Sequence, residues 1–183
     1  MTLIILAIIV AVAVAAVTIY NGLVKLRNTS EQAWADVDVQ LKRRYDLIPN
    51  LVETVKGYAS HEKETFEKVV QARNQAMGAG TPSDKGVAEN FLTSALKSLF
   101  ALAEAYPDLK ANQNFLDLQD ELSKIEEQIQ LARRYYNAVV RDLNTKIETV
   151  PSNIIANMFN FEQKDYFELD SEEERQTPKV DFS

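Results

Sequence analysis

Apolar residues run unbroken from Leu3 to Val17, and no charged side chain occurs before Lys25. Some 20 helical residues reach across a hydrocarbon core of roughly 30 Å, so residues 1–24 read as a membrane-spanning helix. A cleaved signal peptide would want basic residues ahead of the run, and there are none, although Ala13-Val14-Ala15 fits the small-residue cleavage pattern. A buried helix of a soluble domain would carry a polar face, and none interrupts this run. The anchor is the better reading.

Beyond it, a 3-4 spaced stripe passes through Trp34, Val37, Leu41, Arg44, Ile48, Leu51, Val55, Tyr58, Glu62, Phe66, Val69, Arg73 and Ala76. This predicts one long amphipathic helix, continuous with the anchor and kinked at Pro49, where the proline removes a hydrogen bond to the Tyr45 carbonyl. Met77 to Gly86 reads as a loop, followed by a second helix from about Val87 to Ala105 with Phe91, Ala95, Leu99 and Leu102 inward. Pro107 suits the first turn of a new helix. The third helix carries the strongest seam, from Phe115 through Leu118, Leu122, Ile125, Ile129, Ala132, Tyr136, Val139, Leu143 and Ile147 to Val150, a coiled-coil-like repeat. Ser152 is placed to cap a short fourth helix. The predicted fold is all-α: a transmembrane anchor (1–24), an antiparallel three- to four-helix bundle (25–161) and an acidic, flexible tail (162–183).

Composition supports this picture. Five glycines and five prolines in 183 residues are too few for the turns of a sheet protein. With no cysteine, disulfides and thiolate metal sites are excluded. Of the net charge of −7, the segment from Glu162 to Ser183 holds eight acidic and three basic residues, so the rest is nearly balanced. No basic footprint for nucleic acid exists. Lys25 and Arg27 follow the anchor, with Lys42, Arg43 and Arg44 further on. No basic residue precedes it, which places the N-terminus outside and the bundle in the cytoplasm.

Candidate chemistry is sparse. A carboxylate-bridged di-metal site in a bundle needs two Glu-x-x-His pairs, but the single histidine, His61, has Tyr58 three residues before it. No nucleophile elbow occurs, and Gly78-Ala79-Gly80 near Lys85 lacks the Gly-Lys-Ser/Thr ending of a phosphate loop. No catalytic residue, metal or cofactor is expected. More informative are Arg44 and Arg73 on the stripe, and Arg134, Asn137 and Asn144 beside the seam. Either their stems run along the bundle edge with the polar ends in water, or an arginine pairs with an acid of a neighbouring helix and fixes register. Tyr166, Phe167 and Phe182 in the tail are either solvated or short docking elements.

The segment Trp34-Ala-Asp-Val-Asp-Val-Gln-Leu-Lys-Arg-Arg-Tyr-Asp-Leu-Ile-Pro-Asn-Leu-Val-Glu-Thr-Val-Lys-Gly-Tyr58 closely resembles the signature of the bacterial LemA family. So do Tyr106 to Asn112, Ala132 to Asn144, Pro151 to Ala156, and Tyr166-Phe167-Glu168. The resemblance implies a membrane-tethered helical bundle and no particular reaction, and a magnetosome-associated branch points toward membrane organisation. Positions expected to hold register or make contacts are Arg43, Arg44, Pro49, Asn50, Arg134, Tyr135, Asn137, Asn144, Pro151, Asn153, Tyr166 and Phe167 within these motifs, and Arg73 on the stripe. The expected function is a non-enzymatic scaffold or adaptor in the bacterial cytoplasmic membrane. Its expected partners are the lipid bilayer, a further membrane protein, and copies of itself covering an open stretch of seam. A membrane-anchored sensor or ligand-binding bundle is the alternative.

Overall fold

The computed structural model describes residues 1–168. Among these there are helices and no strand: α1 (Thr2–Lys56), α2 (Lys63–Gly78), α3 (Pro82–Glu104), the single turn α4 (Pro107–Lys110), α5 (Gln113–Glu148) and α6 (Ser152–Met158). The fold is all-α, with one long apolar N-terminal helix, as the periodicity predicts. Two compact units share the long helices. One takes residues 1–41 and 125–166, and the other takes 42–124 with 167–168.

In the first unit, α1 continues without a break from its bare apolar segment into the packed region. Its residues from Leu3 to Val17 are exposed apart from half-buried Ala16, whereas Leu23, Ala33, Val37 and Leu41 are buried. The partner is the second half of α5. Trp34 and Tyr136 stack with ring centroids 5.1 Å apart, and Leu23 shares a buried cluster with Leu143, Ile147, Ala156 and Phe161. The two helices therefore run antiparallel. Apart from Val150 at its very end, which is exposed, the predicted open apolar overhang is absent: Phe115, Leu122, Ile125, Ile129, Tyr136, Val139, Leu143 and Ile147 are buried within the single chain, and Leu118 and Ala132 are half-buried. The expectation failed because α1 does not splay away but stays alongside the seam through Leu41.

α6 ends in a Schellman motif. Asn160 adopts the left-handed conformation (φ 53°), the Phe161 amide donates to the Ala156 carbonyl at 2.9 Å, and the Asn160 amide donates to that of Asn157. Ala156 and Phe161, which this turn brings together, belong to the same apolar cluster. Ser152 does not cap α6. It is the buried first residue of the helix, and its hydroxyl donates to the Thr149 carbonyl at 2.9 Å.

In the second unit, the single long helix predicted through Ala76 is two helices. Pro49 lies inside α1, and the break comes instead at residues 57–62, between α1 and α2. Gly57 and the polar run Ser60-His61-Glu62 supply the turn. The 3-4 stripe runs across the break because each arm of the hairpin presents its own apolar face. α3 also begins earlier than predicted, at Pro82 instead of Val87. Thr81 is its N-cap, accepting from the Asp84 amide at 3.1 Å, while its hydroxyl donates to the Asp84 carboxylate at 2.8 Å and Pro82 occupies the first turn. The inward face of α3 is Lys85, Ala88, Glu89, Leu92, Leu96, Leu99 and Ala103, and Phe91 is exposed. The inward face differs from the predicted Phe91, Ala95, Leu99 and Leu102 because the acid Glu89 is buried on it. Asn112 caps α5 through the Phe115 amide (3.1 Å) and donates to the Tyr58 hydroxyl (2.9 Å).

Candidate functional site: a buried ion-pair layer and a pinned C-terminal segment

The polar layer of the second unit is built on Pro49. A proline inside a helix leaves the carbonyl four residues back without its amide donor. Here that carbonyl belongs to Tyr45, and the Arg73 side chain of α2 supplies the missing donor, its Nε at 2.7 Å. One residue earlier, Arg44 points to α3. Its Nη1 donates to Glu89 Oε2 at 2.6 Å and its Nη2 to the Thr93 hydroxyl at 2.9 Å. The Tyr45 hydroxyl donates to the other Glu89 oxygen. The side chains of Arg44 and Glu89 are 2% and 0% exposed, so the pair is removed from water and screening. Of the two readings open for Arg44, the structure has the pairing, with Glu89 as the acid. Three helices meet in this one layer.

The second cluster fixes the start of the C-terminal segment in the first unit. The buried Asn144 side chain pairs with Lys164 as a strand neighbour would: its Nδ2 donates to the Lys164 carbonyl (2.9 Å), and its Oδ1 accepts from the Lys164 amide (3.0 Å). The Lys164 ammonium reaches Glu31 at 3.2 Å. The Tyr136 hydroxyl donates to the Asp165 carbonyl at 2.8 Å. Burial disfavours the Tyr136 phenolate, and the nearby Asp165 carboxylate adds to this, pushing its pKa up to about 12. Within the second unit, Phe167 is fully buried. A Cβ on Gly86 would overlap the Glu168 carbonyl oxygen, so only glycine lets the segment lie this close to α3. The expectation that fixed structure is lost after Phe161 is corrected for residues 162–168. Residues 169–183, Phe182 among them, lie outside the described residues.

Of the other positions drawn from the motifs, Arg43, Arg134 and Tyr135 lie on outer faces, and Asn50 is exposed with its carbonyl accepting from the Thr54 hydroxyl at 2.8 Å. Asn137 and Asn153 are half-buried, Pro151 sits in the α5–α6 turn, and Tyr166 is exposed beside buried Phe167. Glu89, Tyr45, Thr93, Tyr136, Lys164 and Gly86 were missed. Glu89 had a signal: counted from Pro82 instead of Val87, it falls in phase with Leu92, Leu96 and Leu99.

His61 is exposed in the α1–α2 turn, and no group of three or more His, Cys, Asp or Glu side chains able to hold a metal occurs among the described residues. α2 and α3 border an open groove of about 370 Å³, lined by Lys68, Gln71, Gln75, Phe91, Ser94 and Ser98 among others. α1 is long and apolar enough to cross a bilayer, which fits a membrane protein.

Comparison with known proteins gives concordant relatives. The chain is 28% identical to the protein LemA of Metamycoplasma hominis over 137 residues, covering 74% of this chain and 63% of that protein. It is 23% identical to the magnetosome protein MamQ 2 of Paramagnetospirillum magneticum over 175 residues, and 24% identical to MamQ of Magnetospirillum gryphiswaldense over 174. In both cases 81% of this chain and 64% of the relative are covered, so the chain spans just under two thirds of the relatives it matches. The LemA family model matches residues 33–182, which takes in the Arg44–Glu89 layer and, apart from Glu31, the Asn144–Lys164 cluster, and leaves the apolar segment 1–24 outside. The chain belongs to the LemA family.

Proposed function

We propose that the protein is a non-enzymatic, membrane-tethered scaffold or adaptor that works through its helical surfaces and by self-association. The observation that carries this reading is the unbroken α1. One helix is bare and apolar over residues 3–15 and packed against α5 by Leu23, with no linker between. A helix that leaves the bilayer directly into a packed core holds that core at the membrane at a set height. Such geometry suits presenting a surface more than reaching for a soluble substrate. The buried polar groups at Arg44 and Asn144 are engaged with the chain's own partners, which suits a structural part better than a reactive one.

The seam of α5 is not what a second copy would cover. The outer face of α5 is the better candidate, where Leu131 and Tyr135, one turn apart, are both exposed. Tethering raises the effective concentration of neighbours and favours such contacts. The basic residues that follow the anchor support a cytoplasmic bundle in the bacterial inner membrane. Two of the relatives named above are magnetosome proteins, and membrane organisation is the form of the scaffold reading they favour.

Mass measurement of the full-length protein in mild detergent and in lipid, over a wide dilution range, tests self-association, and a monomer throughout would remove it. Orientation is tested with cysteines introduced at Thr2 and Ser83. An impermeant thiol reagent on intact cells is expected to leave position 83 unlabelled, and labelling there would reverse the topology. The α2–α3 groove favours a second reading, a membrane-anchored sensor, since its volume lies in the range of small-ligand sites. A monomeric protein that binds a small molecule with loss on Phe91→Asp would promote that reading over the scaffold.

A further inference from the structure

The first unit ends, on its membrane side, in an apolar surface that the packing of the chain does not use. Trp34 lies against Tyr136, and two antiparallel helices advance equally. Moving about eleven residues toward the anchor on each brings Leu23 level with Ile147, members of one buried cluster. About three more bring Tyr20 level with Val150, in the turn that leads to α6. The aromatic contacts agree, for the Tyr20 ring lies 4.7 Å from that of Phe159 and 5.9 Å from that of Phe161.

The bilayer boundary falls at the same level. The first charge after the anchor is Lys25, about 7 Å along the helix from Tyr20, close to the thickness of one headgroup region. With Lys25 among headgroups, Tyr20 stands where hydrocarbon meets them, the preferred depth of an amphipathic ring. At that depth α6 is two-faced. Ser152 and Ala156 are buried and Ile155 packs on the cluster, while Ile154 and Met158, one turn apart on the helix, are 59% and 66% exposed; Val150 in the turn before it and Phe159 just after it are 79% and 52% exposed.

We propose that α6 and the turn before it form a second membrane contact, with Val150, Ile154, Met158 and Phe159 immersed at the boundary of the bilayer that α1 crosses. The occupant of this face is lipid, because the face is continuous through the Tyr20–Phe159 contact with the apolar surface of the anchor. The inference rests on the reading of α1 as a membrane anchor. A helix crossing alone sets height but leaves the bundle free to rotate and tilt. A second contact beside it fixes which face of the bundle looks along the membrane.

The protein has no cysteine, so single labels can be placed without background. Full-length protein with a fluorescent label at Ile154→Cys or Met158→Cys goes into vesicles of phosphatidylcholine and phosphatidylglycerol in equal parts. Val10→Cys in the anchor and Gln130→Cys, about 30 Å further along α5, serve as references. Lipids carrying a nitroxide near the carbonyl end of the acyl chain should quench labels at 154 and 158 several-fold more than at 130, and aqueous iodide should show the reverse order. Quenching at Val10 together with iodide access at 154 and 158 would overturn the inference and leave the anchor standing. Shielding of 154 and 158 from both quenchers would mean that a second copy covers the face, and would also overturn it. Val10 lies about 15 Å deeper than Tyr20, so it is read with lipids carrying the nitroxide near the methyl end of the chain, and no quenching there would remove the anchor and this inference with it.

Discussion

Replacing Glu89 by glutamine keeps the volume of the side chain and removes its charge. The Arg44 guanidinium is then left in a site 2% exposed, opposite a neutral amide. Removing one partner of a buried pair costs about 3–5 kcal/mol, because the remaining charge is neither hydrated nor compensated. Domains of this size are stable by roughly 5–15 kcal/mol, so the variant should sit near the edge of folding. Removing both charges has a different expected outcome. Arg44→Met with Glu89→Leu returns the desolvation cost of two ions, and such exchanges are neutral or stabilising by about 1–4 kcal/mol. The half-buried Thr93 hydroxyl loses a donor, and the larger remaining cost is the Tyr45 hydroxyl, which donates to Glu89 and would lose that acceptor. An orphaned buried hydroxyl costs about 1–3 kcal/mol, so the double variant should recover most of the loss and the triple variant with Tyr45→Phe the rest. Thermal and urea unfolding of the full chain in mild detergent, followed by far-ultraviolet circular dichroism, gives the ranking. A Glu89→Gln cost below about 1 kcal/mol, or a triple variant as unstable as the single one, would refute the desolvation argument.

Three further outcomes are expected. Arg73→Met should cost about 1–3 kcal/mol in the parent chain and much less in a Pro49→Ala background, where the new amide takes over the Tyr45 carbonyl; equal costs in a double-mutant cycle would mean that Arg73 does not serve that carbonyl. Gly86→Ala should gain helix propensity yet free the segment around Phe167, seen as faster amide exchange at residues 167–168, because its Cβ overlaps the Glu168 carbonyl; unchanged exchange there would contradict the close approach. The Tyr136 phenol, raised to about 12 from 10.0, favours the folded state fully below about pH 10, and its contribution is lost as pH rises toward 12; Tyr136→Phe should flatten stability over that window, and an unaltered pH profile would count against the shift.

How much of this was legible follows from which residues set each feature. The long apolar N-terminal helix, the α5 seam and the family motifs were readable because each is a long run in which many side chains repeat one preference. The turn at residues 57–62 was not, since the stripe keeps its phase across it by coincidence and only Gly57 and three polar residues mark it. The start of α3 was carried by one capping threonine and one proline, which looked like loop punctuation. Glu89 was invisible for a deeper reason. An acid reads as surface unless its cation is known, and Arg44 lies 45 positions away on another helix. The pinning of residues 164–168 was hidden likewise, for it depends on the tertiary placement of Asn144, Tyr136 and Gly86 and not on any apolar run.

The buried layer has a use that its energetics alone do not explain. Apolar stripes with 3-4 spacing can slide past each other by a turn and still bury carbon on carbon, so they define a face but hold register loosely. The bonds at Arg44, Tyr45 and Arg73 cannot slide, because each needs its donor within about 3 Å of one acceptor. A slip of one helical turn, roughly 5.4 Å, would strand the Glu89 carboxylate in the core. The layer thus penalises wrong alignments of α1, α2 and α3 far more than it stabilises the right one. Our hypothesis is that register, and not stability, is its contribution. The stable triple variant Arg44→Met, Glu89→Leu, Tyr45→Phe tests it: it should melt as high as the parent yet show broadened or doubled amide resonances in α2 and α3. A single sharp set matching the parent spectrum would show that apolar packing alone fixes the alignment.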